Sequence, residues 1–399
     1  MPVQIASEED TIGPYNRLSA SQVNSYNNCS RLWFYEKIRR FRMPQIPVLF
    51  VGRAVEDAVC KMLRESPGLM VASADSKILE PTPLDENGLP TREGGHWPAT
   101  KLLALPPNMQ PSTIEELKEW GMSRLDIHLP LSLEKMKKEW ENDERKAGDW
   151  SSVNIQYCLN MCYSALDMHL AELQRCVEAN GGPNLESWRE GTREYWPAPD
   201  GRDFKLINKH PLASKDLFTL VEAWEVCRPW FVDPGAKKFT MNAIHPQHWF
   251  QGEYDLVYRW DGKIKIVDLK ASIGKGDRSG NYVDQLRIYA MLWWVTHGKS
   301  ETVDSLEIWY LGADVVKEIE VPSVDELQKM ETELEQMWKS LKETKPGIEQ
   351  CPPNPAPMRG FSAGGQSIGA PDESRCESCD WESVCPGGSG NDDLPSAGI

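Results

Sequence analysis

Polar and apolar positions along the chain change period several times, and each change marks an element. Between Ser152 and Ala179 the residues Ile155, Leu159, Cys162, Leu166, Leu170, Leu173 and Val177 recur at three- and four-residue steps. That is the stripe of an amphipathic helix, which Gly181-Gly182 ends. Val55, Val59 and Met62 share one face of a helix opened by Gly52–Glu56. Three capping patterns predict further helices. Ser19-Ala-Ser-Gln22 starts one running to about Asn28, Ser112-Thr-Ile-Glu115 one broken at Pro130, and Ser323-Val-Asp-Glu326 one ending near Thr344. Another is expected from about Tyr282 to Thr296. The stretches Leu217–Trp224, Trp249–Lys270, Leu306–Leu311 and Val315–Val321 are rich in β-formers and read as strands. Residues 65–110 and 346–372 are rich in Pro and Gly and read as irregular connections, and the tail from Gly387 reads as disordered.

Within Trp249–Lys270, Asp261-Gly262 stands between two β-rich runs, the strongest short signal for a two-residue hairpin turn. Trp260 then faces Lys263, and counting back puts Asp255 opposite Asp268, with Cβ atoms roughly 4.5–5.5 Å apart. Facing carboxylates destabilise a sheet unless something bridges them, and a divalent cation is the obvious bridge. Lys270 projects from the same face as Asp268. A simpler alternative stays open: in this register Glu253 faces Lys270, and the lysine is then a cross-strand ion-pair partner.

The chain has 399 residues, 60 acidic against 44 basic, for a net charge of −16. That balance argues against tight nonspecific binding of nucleic acid. Locally the picture differs, because Arg31, Lys37, Arg39, Arg40 and Arg42 interleave with Trp33, Phe34, Tyr35 and Phe41. Basic groups for phosphates and aromatic faces for bases suit a single-strand groove. An amphipathic helix with core aromatics and solvated arginines gives the same pattern. The N-terminus lacks a secretory pattern and no apolar run is long enough to span a bilayer, so a cytoplasmic protein with reduced thiols and no membrane contact is expected. No glycine-rich P-loop is present.

Cys376-x2-Cys379 has metal-ligand spacing, and Cys385 follows six residues on. Three thiolates need a fourth ligand, and either an iron–sulfur cluster or tetrahedral zinc would satisfy four. Cys158 and Cys162 lie on or beside the apolar helical stripe and read as core, as do Cys60, Cys176 and Cys227. Cys351 falls in a connection without an evident partner.

Together these residues resemble a known family. Asp255, followed by Asp268-Leu269-Lys270, is similar to the D…(D/E)-x-K signature of the PD-(D/E)xK nuclease superfamily. Gln285-Leu-Arg-Ile-Tyr289 resembles the Q-x-x-x-Y motif of RecB-type nucleases. Cys29 with Cys376, Cys379 and Cys385 resembles the four-cysteine iron–sulfur staple of AddB and CRISPR spacer-acquisition nucleases, and Leu18–Tyr35 resembles that family's first helix.

The resemblance implies an α/β, restriction-endonuclease-like core, a mixed central sheet flanked by helices. Residues 1–64 and 191–345 would form it, around a largely helical insertion at 65–190. A linker and cluster-binding segment at 346–386 and a tail at 387–399 would follow. It implies Mg2+ or Mn2+ held by Asp255, Asp268 and the Leu269 carbonyl. Lys270, its pKa lowered by burial and the metal, would orient or deprotonate the attacking water, or neutralise the charge developing on the phosphorane. RecB-type nucleases commonly place a histidine, a further metal ligand, four residues after the helix glycine. Here Glu56 follows Gly52 and would add a hard oxygen ligand in its place, a departure that bears on metal preference; a solvated helical glutamate is the alternative. Gln285 and Tyr289 would contact nucleic acid or support the lysine, and Arg31, Arg39 and Arg40 would meet DNA. A 4Fe–4S cluster, or zinc, would tie the chain ends together. The implied activity is a DNA exonuclease on single-stranded ends in recombination, repair or CRISPR spacer processing, with a helicase or CRISPR integrase as partner. A non-catalytic, iron–sulfur- or zinc-containing nucleic-acid-binding subunit of a helicase–nuclease complex is the alternative.

Overall fold

The computed structural model describes residues 14–41, 45–71, 102–183, 185–189, 194–197, 203–205, 212–213, 217–229, 241–271, 279–354, 360–361, 367–368, 376, 379 and 381–392. Strand β1 (Leu18–Ser19) leads into helix α1 (Ala20–Asn28). The Ser19 hydroxyl accepts from the Gln22 N–H at 3.4 Å, while the Gln22 amide turns back to the Arg17 carbonyl. Helix α2 (Pro47–Arg64) starts earlier than the Gly52 signal, because Pro47 at its first position needs no N–H. Helix α3 (Ile114–Glu141) is capped by Thr113, and Glu116 reaches back to the Ser112 N–H at 2.7 Å.

Two expectations fail among the helices. Pro130 does not break α3, which continues for eleven residues beyond it. Leu125 and Leu129 on one side and Leu133 and Met136 on the other are buried, and that packing outweighs the lost hydrogen bond of about 3 kcal/mol. The stretch Leu217–Trp224 is not a strand. After helix α4 (Ile155–Glu178), residues Leu220–Cys227 form helix α5, started by a reciprocal capping box between Thr219 and Glu222. The β-branched content of that segment masked the cap. Glu194–Pro197 and Asp203–Lys205 pair as a short antiparallel ribbon, as do Leu69–Val71 and Leu102–Ala104 in a region read as irregular. Residues 72–101 of that region lie outside the described residues.

The elements that frame the site are β2 (Met241–Ile244), β3 (Phe250–Tyr254), β4 (Leu256–Tyr258), β5 (Lys265–Lys270), α6 (Ser279–Thr296), β6 (Ser305–Tyr310), β7 (Val315–Ile319) and α7 (Val324–Thr344). Helix α7 begins at the expected Ser323 box. One sheet has the order β1-β3-β2, with β1 parallel to β3; the other runs β7-β6-β5-β4, with only β5 and β6 parallel. Helix α6 makes the crossover between β5 and β6.

Strand alternation sends successive side chains of the second sheet into two cores. Leu256, Tyr258, Val267, Leu269 and Trp309 pack with α2, α3, α4 and α5. Val257, Ile266, Leu306, Ile308 and Tyr310 pack with α1, α6 and α7. The helices at 114–178, with α2 and α5, therefore cover this face over β4, β5 and β6 and leave Val316 of β7 exposed. No described helix is long and apolar enough to cross a membrane.

The first described helices meet the last described segments. Ser30 Oγ donates to the Pro352 carbonyl at 3.0 Å and the Asn354 amide to the Asn28 carbonyl at 2.8 Å. Arg31 pairs with Asp392 at 3.1 Å, and the Tyr35 hydroxyl donates to the same carboxylate. Residues 346–354 and 387–392, expected to be loose, are thus held against the first helices. Residues 393–399 lie outside the described residues.

Candidate active site

Asp255 occupies the bend where the chain leaves the first sheet, at Tyr254, and enters the second, at Leu256. The pairs Leu256↔Val267, Val257↔Ile266 and Tyr258↔Lys265 follow the register expected from sequence, and one further step sets Asp255 across from Asp268. The turn itself differs. The ladder stops at Tyr258, the Gly262 N–H bonds the Arg259 carbonyl at 3.2 Å, and Gly262 takes φ +78°. Trp260 and Lys263 are not ladder partners. Burial explains it: the Trp260 indole donates to Glu172 at 2.7 Å, and the Ile264 N–H goes to Asp304 at 2.8 Å. Glu253 stands opposite Asn242, while Lys270 pairs with Asp268.

Asp268 is 2% exposed on the α6 face of β5. The Gln285 amide donates to the Tyr289 hydroxyl at 2.8 Å and reaches Asp268 Oδ1 at 3.5 Å. The i, i+4 spacing of Gln285 and Tyr289 puts both on the helix face that meets the strand. Asp255 Oδ2 accepts the Leu269 N–H at 2.8 Å, so the backbone contact the structure gives at Leu269 is this donor. Gly52 lies against Ala271, where an added Cβ would sit 3.8 Å from the alanine methyl. That contact lays α2 over the end of β5 and brings Glu56, one turn later, beside Asp255.

Charge is concentrated here. Burial, then the Glu56 and Asp268 carboxylates, push the Asp255 carboxyl well above its ordinary value, with Lys270 and the Leu269 N–H acting in the other direction. Burial acts to lower the Lys270 ammonium, but Asp268 and Asp255 outweigh it, and the net shift is upward.

The Asp255, Asp268 and Glu56 carboxylates are hard oxygen donors gathered at one place, and they fit a magnesium- or manganese-type ion in charge and chemistry. Among the described residues, however, no three His, Cys, Asp or Glu side chains close into a ligand shell.

A profile of the PD-(D/E)XK nuclease superfamily matches residues 170–386. The chain belongs to the PD-(D/E)XK nuclease superfamily. Its mixed sheets flanked by helices are consistent with the restriction-endonuclease-like fold of that superfamily, whose members are typically metal-dependent nucleases. The matched span holds Asp255, Asp268, Lys270, Gln285, Tyr289 and Cys376, Cys379 and Cys385, and leaves out Cys29 and Glu56. No curated protein and no solved structure matches the chain.

The other residues singled out in the sequence fall into two groups. Arg39 and Arg40 are exposed, whereas Arg31 is buried against Asp392, and Trp33, Phe34 and Tyr35 belong to the core. That arrangement is the amphipathic one, with Arg31 committed to holding the chain end. Cys29, Cys376 and Cys385 are buried and Cys379 half-buried. Cys376 Sγ lies 2.9 Å from where a Cβ on Gly387 would sit, so the segment passes the thiol as bare backbone. Cys351, assigned no partner from sequence, is fully buried among these chain-end contacts, and its thiol is raised by burial and the nearby Cys29 while Arg31 acts to lower it.

Sequence reasoning passed over Gly252. A Cβ there would lie 2.8 Å from Leu292 Cδ2 and 3.0 Å from Tyr289 Cε1, so β3 approaches α6 closely only because residue 252 has no side chain. A glycine inside a strand was the available signal. Gly252→Ala should cost about 1–3 kcal/mol by overpacking, displace the Tyr289 ring and break its hydrogen bond with Gln285. Urea denaturation and steady-state cleavage rates check this; unchanged values for both would show that α6 accommodates the methyl freely.

Proposed function

We propose that this superfamily member is a RecB-type, metal-dependent nuclease that hydrolyses DNA phosphodiester bonds, acting as an exonuclease on single-stranded ends. The observation that carries the reading is the convergence of Asp255, Asp268 and Lys270 at one bend, under a helix that delivers Gln285 to Asp268. In this reading Asp255, Asp268, the Leu269 carbonyl and Glu56 hold the ion. Bound magnesium or manganese would neutralise charge on the scissile phosphate and activate water. Lys270 stabilises the charge that develops on the phosphate and orients the attacking water. Gln285, braced by Tyr289, fixes Asp268. Exposed Arg39 and Arg40 meet backbone phosphates, which position a strand without reading its sequence.

Cys29, Cys376, Cys379 and Cys385 are proposed to hold a 4Fe–4S cluster that fastens the chain ends, with zinc as the alternative occupant. The meeting of those ends through Ser30, Arg31 and Asn354 supports it. The proposed setting is cytoplasmic recombination, repair or CRISPR spacer processing, beside a helicase or integrase.

The test is degradation of end-labelled single-stranded DNA by anaerobically purified protein, with magnesium, manganese or EDTA, and with iron and zinc quantified in the same sample. Metal-dependent release of short products supports the nuclease, and the label position gives polarity. Folded, cluster-loaded protein that binds DNA and never cleaves it would favour the binding-subunit reading instead.

A further inference from the structure

Helix α6 carries more than Gln285 and Tyr289 over the site. Tyr282 precedes Gln285 by three residues and so lies on the same face. The Lys270 ammonium sits 4.8 Å from the centroid of the Tyr282 ring, within the reach of roughly 6 Å at which a ring face attracts a cation. Lys270 is thereby held from two sides, by the Asp268 carboxylate and by the aromatic face.

We propose that Tyr282 is a positioning residue for the hydrolysis, its ring face fixing the Lys270 ammonium at the scissile phosphate. This rests on the nuclease reading above. The physical argument concerns competition for Asp268. That carboxylate is shared between Lys270 and Gln285, and in the proposed reaction it is also a metal ligand. A lysine whose carboxylate partner is engaged elsewhere is a point charge on a flexible four-carbon stem. The ring is the contact that persists. It needs no hydroxyl and does not compete for the carboxylate oxygens, so the aromatic face is the property that matters. Tyr289 does not do this work: its hydroxyl is taken by Gln285 and its ring packs edge-on against Tyr254.

The experiment compares Tyr282→Phe, Tyr282→Leu and ring-fluorinated phenylalanines at position 282 in the full chain. Fluorination drains the ring face of charge at nearly constant shape. Expected results are kcat for Tyr282→Phe within about twofold of the wild type and a fall of about 3- to 30-fold for Tyr282→Leu, with KM for DNA and the thermal midpoint unchanged. With each added fluorine kcat should step downward. A merely structural tyrosine would show no fluorine dependence. The second readout needs no substrate: in metal-free protein with 13C-labelled lysine, the Lys270 ε-protons should carry an upfield ring-current shift that Tyr282→Phe keeps and Tyr282→Leu loses.

Equal kcat in Tyr282→Leu and Tyr282→Phe, a loss in Tyr282→Phe as large as in Tyr282→Leu, or fluorine-insensitive turnover overturns the proposal while Lys270-dependent cleavage stands. Absence of any Lys270-dependent cleavage, with the ring-current shift intact, overturns the nuclease reading and this role with it. Absence of the shift shows that the ring does not cover the ammonium and overturns the proposal at its base.

Discussion

Lys270→Ala protein should remain folded and lose DNA cleavage by about 10²–10³-fold or more, the scale seen when a group aimed at developing charge is removed from a water-poor site. Lys270 ends β5 on the face that meets α6, and its side chain is only 20% exposed. It brings the positive charge to a centre that otherwise gathers Asp255, Asp268 and Glu56. Folding should survive its removal, because Asp255 keeps the Leu269 N–H and Asp268 keeps the Gln285 amide as partners. The loss should fall on kcat, with KM for DNA little changed, because the interaction strengthens only as charge builds on the phosphate. Initial rates at saturating DNA, beside circular dichroism of both proteins, measure it. Wild-type turnover in the variant would remove Lys270 from the mechanism.

The second large effect is on stability. On the opposite face of β5, Lys265 stands between two buried carboxylates, 2.9 Å from Glu172 and 2.7 Å from Glu307. Glu172 also receives the Trp260 indole and Arg175, and Glu307 receives the Trp309 indole. This network joins α4 to β5 and β6. Lys265→Ala would take the cation from Glu307 and leave Glu172 with Arg175 alone, and should destabilise the fold by about 3–5 kcal/mol, read as a fall in the urea midpoint. The triple variant Lys265→Met, Glu172→Gln, Glu307→Gln should recover most of it, since uncharged groups need no counter-ion. A single-variant loss near zero would show that water reaches the pair.

The same network gives a pH dependence. Burial acts to lower the Lys265 ammonium, but Glu172 and Glu307 raise it above 10.5. Its contribution is therefore full below 10.5 and fades as pH climbs through the higher folded value. Burial acts to raise Glu172, but Lys265, Trp260 and Arg175 bring it below 4.5. Its contribution is full above 4.5 and is lost as acid takes the pH through the lowered value.

Much of the site could be read in the chain because it is made of local patterns. A strand register is fixed by alternation, so counting back from Asp261-Gly262 placed Asp255 across from Asp268 even though the turn was of a different kind. Helical spacing likewise put Gln285 and Tyr289 on one face. What escaped was set by competing local signals or by contacts distant in sequence. The helix at Leu220–Cys227 depends on a cap that competes with β-branched propensity, and Pro130 is carried by neighbours on both sides. The close approach at Gly252 and the ring over Lys270 are tertiary facts whose only trace in sequence is a glycine in a strand and a tyrosine three residues before Gln285.

The most direct test of the central claim is Mn2+ binding followed by electron paramagnetic resonance. Metal-stripped wild-type and Asp268→Asn proteins would be titrated in the presence of a cleavage-resistant phosphorothioate single strand. The account predicts that the wild type takes up Mn2+ and that Asp268→Asn, equally folded, loses that uptake. Equal binding by the two proteins, or none by the wild type, would contradict a metal centre at Asp255 and Asp268.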